Sequence, residues 1–332
     1  MSARREVLVT ARFFDVQAKD ALHAAGFEIH TGGVAYDGVD NAVTESMHAA
    51  LERCSAWIMG IPPVSRSLLE RYPHLQVLAR RGVGYDTIDA PAVKDLGRVL
   101  TITAGANEAT VADHTVGLML TVAKRLSESH RRMQEGVKTV LVGHELFGKT
   151  VGLVGLGRIA RLVARRLRGF DVRLIAHDPY ANESVAREAG VELTSLDQLL
   201  AQADFVSLHA PLTEGTRHLI SATTIDGMKT GAFLVNTSRG GLIDDSALLA
   251  ALKSGKLAGA GLDVFGSEHD LSLEPVTREL LALPNAVCTP HAGGSSHEGL
   301  ARANMLAAQC VIAALDGAAI QPACVVADGR TR

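Results

Sequence analysis

Val151-Gly152-Leu153-Val154-Gly155-Leu156-Gly157-Arg158-Ile159-Ala160 is an apolar run that breaks into a G-x-G-x-x-A turn, after which Ile159, Val163 and Leu167 recur at helical spacing. A strand, a glycine turn and a helix in that order open a dinucleotide-binding βαβ unit. Gly155 permits the tight turn, and Gly157 lets the backbone approach a pyrophosphate. The charge of that pyrophosphate is met by the amides and positive dipole end of the new helix at Arg158 and Ile159. Ala160 takes the place of the third glycine.

Reading forward, the next apolar run, Val172 to Ala176, ends at His177-Asp178. That is near the spacing of about 20 residues at which an acid binds the adenosine ribose diol. Asp178 predicts NAD: a carboxylate repels the 2′-phosphate of NADP, and Pro179-Tyr180-Ala181-Asn182 offers no Arg to hold it.

Outward from this unit, short β-rich runs alternate with helical patterns along the chain. They are Val7 to Val9, Ala56 to Met59, Leu75 to Ala79 and Val99 to Ile102 before it, then Phe205 to Leu208, Phe233 to Asn236 and Ala258 to Leu262 after it. Such alternation means parallel sheets covered by helices on both faces. Glu108 to His130 contains no Gly or Pro except Gly117 and predicts one long, largely buried helix at a domain crossing. His297 to Leu315 predicts a last helix that returns the chain to the first domain.

At 332 residues the chain exceeds one ordinary domain of about 100–200 residues. The net charge of −3 and the scattered arginine pairs, among them Arg4-Arg5 and Arg80-Arg81, argue against nucleic acid as a partner. Cys54, Cys288, Cys310 and Cys324 lack C-x-x-C spacing, so neither a metal site nor a disulfide framework is expected. Without a signal-like N-terminus or a run of membrane-spanning length, the expected setting is cytoplasmic.

Three further segments fall at expected strand ends: Val235-Asn236-Thr237-Ser238-Arg239-Gly240-Gly241, Gly261-Leu262-Asp263-Val264-Phe265-Gly266-Ser267-Glu268 and Thr289-Pro290-His291-Ala292-Gly293-Gly294. Together with Arg81-Gly82-Val83-Gly84-Tyr85-Asp86 upstream and the glycine turn, they resemble the D-2-hydroxyacid dehydrogenase family over nearly the whole chain. Within it the likeness is strongest to the catalytic core of the D-3-phosphoglycerate dehydrogenases.

That resemblance implies two doubly wound parallel-sheet α/β domains: a flavodoxin-like substrate domain, 1–103 and 296–332, with a Rossmann-type NAD domain, 104–295, inserted in it. It implies NAD-dependent hydride transfer between cofactor and a small 2-hydroxy or 2-keto acid, such as 3-phosphoglycerate, glycerate/hydroxypyruvate or glyoxylate, in a homodimer joined through the NAD domain. Arg239 would hold the substrate carboxylate and polarise the 2-keto oxygen, as suits a permanently charged fork. His291 would be the acid and base on that oxygen. Glu268 would fix the tautomer of His291 and favour the imidazolium.

The same resemblance assigns Asp263, Thr237, Ser238, Ala210, Gly293 and Gly294 to the cofactor, with His209 a weaker candidate. Arg81, Val83 and Gly84 join Arg239 on the substrate, with Asn107 a weaker candidate. Three departures are visible. His269 replaces the usual Pro after Glu268, and Asp113 replaces Glu. Ile58 to Pro63 is apolar where phosphoglycerate dehydrogenases tend to carry an Arg for the phosphate, which argues against a phosphorylated substrate. Arg80 is read as a surface or domain-bridging cation. A rival reading from another class is an NAD(H)-sensing binding protein of the corepressor type, which shares the fold.

Overall fold

The computed structural model describes residues 5–330; Arg4 and the other residues at the ends of the expected first domain, 1–4 and 331–332, lie outside that range. From the N-terminus the order is β1 (Glu6–Val9), α1 (Val16–Ala24), β2 (Glu28–His30), α2 (Glu45–Leu51), β3 (Ala56–Met59), α3 (Arg66–Arg71), β4 (Val77–Arg80), α4 (Ala90–Asp95) and β5 (Val99–Ile102). Each helix starts where a side chain takes up an orphan amide: Asp15, Thr44, Ser65 and Asp89 all accept from a first-turn N–H.

There follow α5 (Glu108–Ala123), α6 (Leu126–Gln134), β6 (Thr150–Val154), α7 (Arg158–Leu167), β7 (Arg173–His177), α8 (Glu183–Ala189), β8 (Glu192–Leu193), α9 (Leu196–Gln202) and β9 (Phe205–Leu208). Then come α10 (Ala222–Asp226), β10 (Ala232–Asn236), α11 (Asp245–Ser254), β11 (Leu257–Leu262), α12 (Glu274–Ala282), β12 (Ala286–Cys288), α13 (His297–Leu315) and β13 (Val325–Asp328).

The contacts divide the chain into two units, one taking in the chain up to Asn107 and again from Gly294, the other Glu108–Gly293. In the first, the sheet order is β13-β5-β4-β3-β1-β2, parallel except for β13, which pairs antiparallel with β5. Because side chains alternate along a strand, Val7 and Val9 pack with α1 and α13 while Leu8 packs with Met47, Leu51 and Trp57 on the other face. In the second unit all pairings are parallel and the order is β12-β11-β10-β9-β6-β7-β8. Strand order reverses between β6 and β9, the switch point at which doubly wound sheets bind ligands. Both sheets belong to the Rossmann-type, doubly wound α/β class. β9 and β10 are buried along their whole length, as strands covered on both faces must be.

The single helix expected from Glu108 to His130 is two helices. Arg125 takes a left-handed φ of +53°, and the segment at Gly143 and His144 closes on the end of α5, where the His144 amide donates to Ala123 O at 2.8 Å. A Cβ on Gly143 would stand 2.8 Å from the same carbonyl. β2, β8, β12 and β13 were not expected; all are at or next to a sheet edge, and three of them are only two or three residues long.

Candidate active site

In the second unit the glycine turn sits at the carboxyl end of β6. Gly155 has φ +93°, and a Cβ on it would lie 2.8 Å from His209 O, so the packing itself demands glycine there. Gly157 is different. Its φ of −70° and ψ of −167° suit any residue, and a Cβ there would meet nothing within 4 Å. The protein has no use of its own for that vacant space, whereas a pyrophosphate approaching the backbone does. No side chain caps the N-terminus of α7, which leaves its first amides for an anion. Arg158 Nη1 stands 3.6 Å from Glu108 Oε1. The residues therefore fit a dinucleotide.

Asp178 Oδ2 accepts from the Leu156 amide at 2.8 Å and Oδ1 from the Tyr180 amide at 2.9 Å, so the acid is fixed against the glycine turn itself. His209, followed by Ala210, faces inward with Nε2 2.9 Å from Ser207 Oγ, and its Nδ1 is shielded without a partner. Burial pulls this imidazole down to about 4, so it is neutral at pH 7. Ser238 Oγ donates to Leu208 O at 2.8 Å, and Thr237 Oγ1 lies 2.8 Å from Thr115 Oγ1.

Arg239 precedes a 3-10 turn over Gly240–Leu242, and Glu268 ends another over Gly266–Glu268. These two turns can lie together only because Gly240 has no side chain: a Cβ there would overlap the Phe265 carbonyl carbon at 2.0 Å. Glu268 Oε1 accepts from the Phe265 amide at 2.8 Å, and Oε2 lies 2.7 Å from His291 Nδ1. With Nδ1 turned to the carboxylate, Nε2 is the nitrogen left for chemistry. Arg239 Nη1 donates to Ser238 O at 2.7 Å. Asp245, buried beside this turn, accepts from the Gly266 amide at 3.0 Å; burial raises its pKa, and the Gly266 bond opposes the rise.

The turn that presents His291 is strained, with φ +50° at His291, and is held from behind by Asp263. Asp263 Oδ1 accepts from Thr289 Oγ1 at 2.5 Å and from the Ala292 amide at 2.8 Å; Oδ2 accepts from the Gly293 amide at 2.8 Å. His114 on α5 reaches Thr289 Oγ1 at 2.9 Å and lies 3.4 Å from Asp263 Oδ1. Burial would raise the Asp263 pKa, but His114, Thr289 and the two amides outweigh it and hold the carboxylate below its usual range. His114 carries no motif of its own in the sequence; its partners lie far along the chain.

The first unit holds Arg81, Val83 and Gly84 in the loop after β4, and Asn107 at its edge. Asn107 Oδ1 is shielded without a partner, and a Cβ on Gly294 would lie 2.9 Å from Asn107 Nδ2. Gly294 thus belongs with Asn107, while Gly293 belongs with Asp263 in the second unit. The reading of Arg80 as a surface or bridging cation is corrected. It is 9% exposed and donates to Gly84 O at 2.9 Å and to Arg81 O, bracing its own loop. Among the described residues, one cluster of ligand-type side chains converges, Glu6, Glu28 and His30, and Arg53 already pairs with Glu6 at 2.9 Å.

A Rossmann-type sheet with a glycine turn open to a pyrophosphate, and a histidine–carboxylate pair on a turn packed against that of Arg239, defines a nicotinamide-dependent oxidoreductase. Residues 116–293 match the D-isomer specific 2-hydroxyacid dehydrogenase NAD binding domain. The chain belongs to that family, whose members are NAD-dependent oxidoreductases acting on 2-hydroxy acids. It is 41% identical to a glyoxylate reductase of Korarchaeum cryptofilum over 257 residues, 76% of either chain. It is 42% identical to a hydroxypyruvate reductase of Thermotoga maritima over 241 residues, 72% of this chain and 77% of the relative.

The solved D-lactate dehydrogenase of Aquifex aeolicus, complexed with NAD and lactic acid, superposes with a TM-score of 0.82 at 29% identity, covering 94% of this chain and 96% of that one. Several D-3-phosphoglycerate dehydrogenases also match, and the chain spans 47% to 58% of their length.

Proposed function

We propose that the chain reduces a small 2-keto acid with NADH, the second unit supplying cofactor binding and proton transfer and the first supplying groups for the substrate. The observation that carries the assignment of residues is the 2.7 Å contact between Glu268 and His291 Nδ1, on a turn locked by Asp263. Bound NADH supplies the hydride. His291 Nε2 gives its proton to the carbonyl oxygen as that oxygen gains charge, and Glu268 stabilises the ring in the required tautomer. Arg239 offers a planar fork to the carboxylate and a donor to the keto oxygen, which a lysine cannot do at once.

Gly155, Gly157, Arg158, Ile159 and Asp178 hold the dinucleotide; Asp263 supports its nicotinamide end, and Thr237, Ser238 and Gly293 further groups of the cofactor. Val83 and Gly84 offer backbone amides to the substrate carboxylate. The names of the relatives favour glyoxylate and hydroxypyruvate as substrates. The proposal includes a homodimer. Its support is the irregular segment after α6, where Val140 is 86%, Val142 82% and Phe147 65% exposed, more apolar surface than a monomer has reason to show. Light scattering reads this directly. Four free cysteines fit a reducing, cytoplasmic setting.

The test is NADH and NADPH oxidation with glyoxylate, hydroxypyruvate, pyruvate and phenylpyruvate. NADH turnover of at least one is expected, with NADPH far poorer because of Asp178. His291→Gln should lower kcat by about 10²–10⁴-fold. Tight NADH binding without turnover of any keto acid overturns the reading.

A further inference from the structure

Asp244 and Asp245 stand side by side at the start of α11, and one acid suffices to cap it. Asp244 Oδ1 accepts from the amides of Ser246 at 3.0 Å and Ala247 at 3.1 Å, so the helix start already has its acceptor. Asp245 turns away. It is 6% exposed, and its Oδ2 accepts from the Gly266 amide at 3.0 Å, across to the turn that ends in Glu268. Burial pushes its pKa up, against the Gly266 bond; Asp244 on its own helix and Glu268 on the turn add to the rise, and His218 from the loop after β9 opposes it. A carboxylate buried there does not strengthen the fold on its own account.

The Gly266–Glu268 turn needs holding from outside. Its own backbone bonds are short-range: the Glu268 amide donates to Phe265 O at 3.2 Å, and the amides of His269 and Asp270 donate to Gly266 O at 3.2 Å and 3.1 Å. Glu268 keeps one oxygen on the Phe265 amide and the other 2.7 Å from His291 Nδ1, so any drift of the turn lengthens the second contact. Asp245 reaches in from α11 to Gly266, and Thr277 from α12, where its Oγ1 donates to Ser267 Oγ at 2.9 Å. The carboxylate–amide bond is charge-assisted and the stronger of these two anchors. The fit at Gly266 is close: a Cβ there would lie 2.7 Å from Leu273 Cδ1 and 3.0 Å from Asp245 Oδ2.

We propose that Asp245 is a positioning residue of the reaction, setting through the Gly266 amide the turn that presents Glu268 to His291. It acts through Glu268 and not on the reacting atoms. This rests on the reading of the chain as a 2-keto acid reductase with His291 as its acid. A second acid at a helix start that is already capped, kept in spite of its burial, is accounted for by the contact it makes with that turn.

The experiment measures kcat and KM for the best keto acid with NADH from about pH 6 to about pH 10 in the parent and in Asp245→Ala. Loss of the acceptor lets the turn drift, so kcat should fall about tenfold or more while KM for NADH moves less than about twofold. A ring that has lost its carboxylate holds its proton less firmly, so the alkaline fall of the reduction rate should begin about one pH unit lower. Asp245→Asn keeps an acceptor for Gly266 and should restore most of both. In a Glu268→Ala background, Asp245→Ala should cost less than about twofold more, because its route to His291 is already cut. If circular dichroism shows that Asp245→Ala does not fold, Asp245→Ser, whose hydroxyl stops one bond short of the amide, takes its place. An unchanged kcat and pH profile, an equal fold-loss in both backgrounds, or no rescue by Asp245→Asn overturns the positioning role while leaving the reductase intact. A parent that reduces no keto acid overturns the reading beneath it.

Discussion

Two charged side chains at strand ends, one in each unit, are satisfied to opposite degrees. In the second, Asp263 is 1% exposed, yet Thr289, Ala292 and Gly293 all donate to it and His114 stands close by. In the first, Arg81 has an enclosed Nε with no acceptor and a like charge as neighbour. A satisfied buried charge is a structural member, expensive to remove because its partners are then orphaned. An under-satisfied one adds little to the fold and can be removed at low cost. The contrast teaches which charged residues hold the structure together and which do not.

The largest effect that could break this contrast is on the satisfied side. Asp263→Ala leaves the Thr289 hydroxyl, two amides and His114 without their acceptor, and should cost about 3–5 kcal/mol in the second unit. Urea unfolding followed by circular dichroism measures this. Trp57, the chain's one tryptophan, is buried in the first unit and reports only on that unit. A loss below about 1 kcal/mol would mean that the network is not what holds the strained His291 turn.

Arg81→Met should act in the other direction. Replacing an under-bonded, half-buried cation by an apolar chain of similar reach should leave the first unit as stable or more so, by about 1–2 kcal/mol. Trp57 fluorescence is a local probe of it, because its Nε1 donates to Thr10 Oγ1 at 2.9 Å and Thr10 in turn donates to Asp40. A clear destabilisation would show that Arg81 is structural, and the contrast would fail.

Sequence showed most plainly what is local. The glycine turn and Asp178 were legible because a βαβ unit fixes their spacing, and the structure ties them together through the Leu156 amide. Arg239, Glu268 and His291 were legible as a set only through family resemblance, since the Gly240 contact that joins their turns depends on how β10 and β11 end side by side. The His114 brace was invisible because it spans α5 to Thr289.

Arg80 was misread for a similar reason: its partners are carbonyls of its own loop, and an amino-acid string does not show a loop's path. Lys124 and Arg125 are good helix formers, so propensity ran straight through a break that the backbone of Gly143 and His144 imposes from outside.

The smallest effect sharpens the contrast within the second unit, at His209. Its imidazole is buried near Gly155 with one nitrogen bonded to Ser207 and the other without a partner, yet it carries no charge to leave unsatisfied. Its folded pKa is about 4, against 6.5 for the free side chain. Between those values the unfolded chain takes up a proton that the folded chain refuses, so stability falls as pH drops from 6.5 toward 4 and levels off below. Asp263 acts in the same direction, but only at lower pH, because its folded pKa lies below 3.8.

His209→Gln keeps a donor and acceptor for Ser207 and cannot titrate, so its unfolding midpoint should vary less between pH 7 and pH 5 than that of the parent. An unchanged slope would mean that His209 is hydrated and protonated in the fold. It would then be a second under-satisfied cation, at the dinucleotide turn, and the contrast between Asp263 and Arg81 would no longer separate the two units.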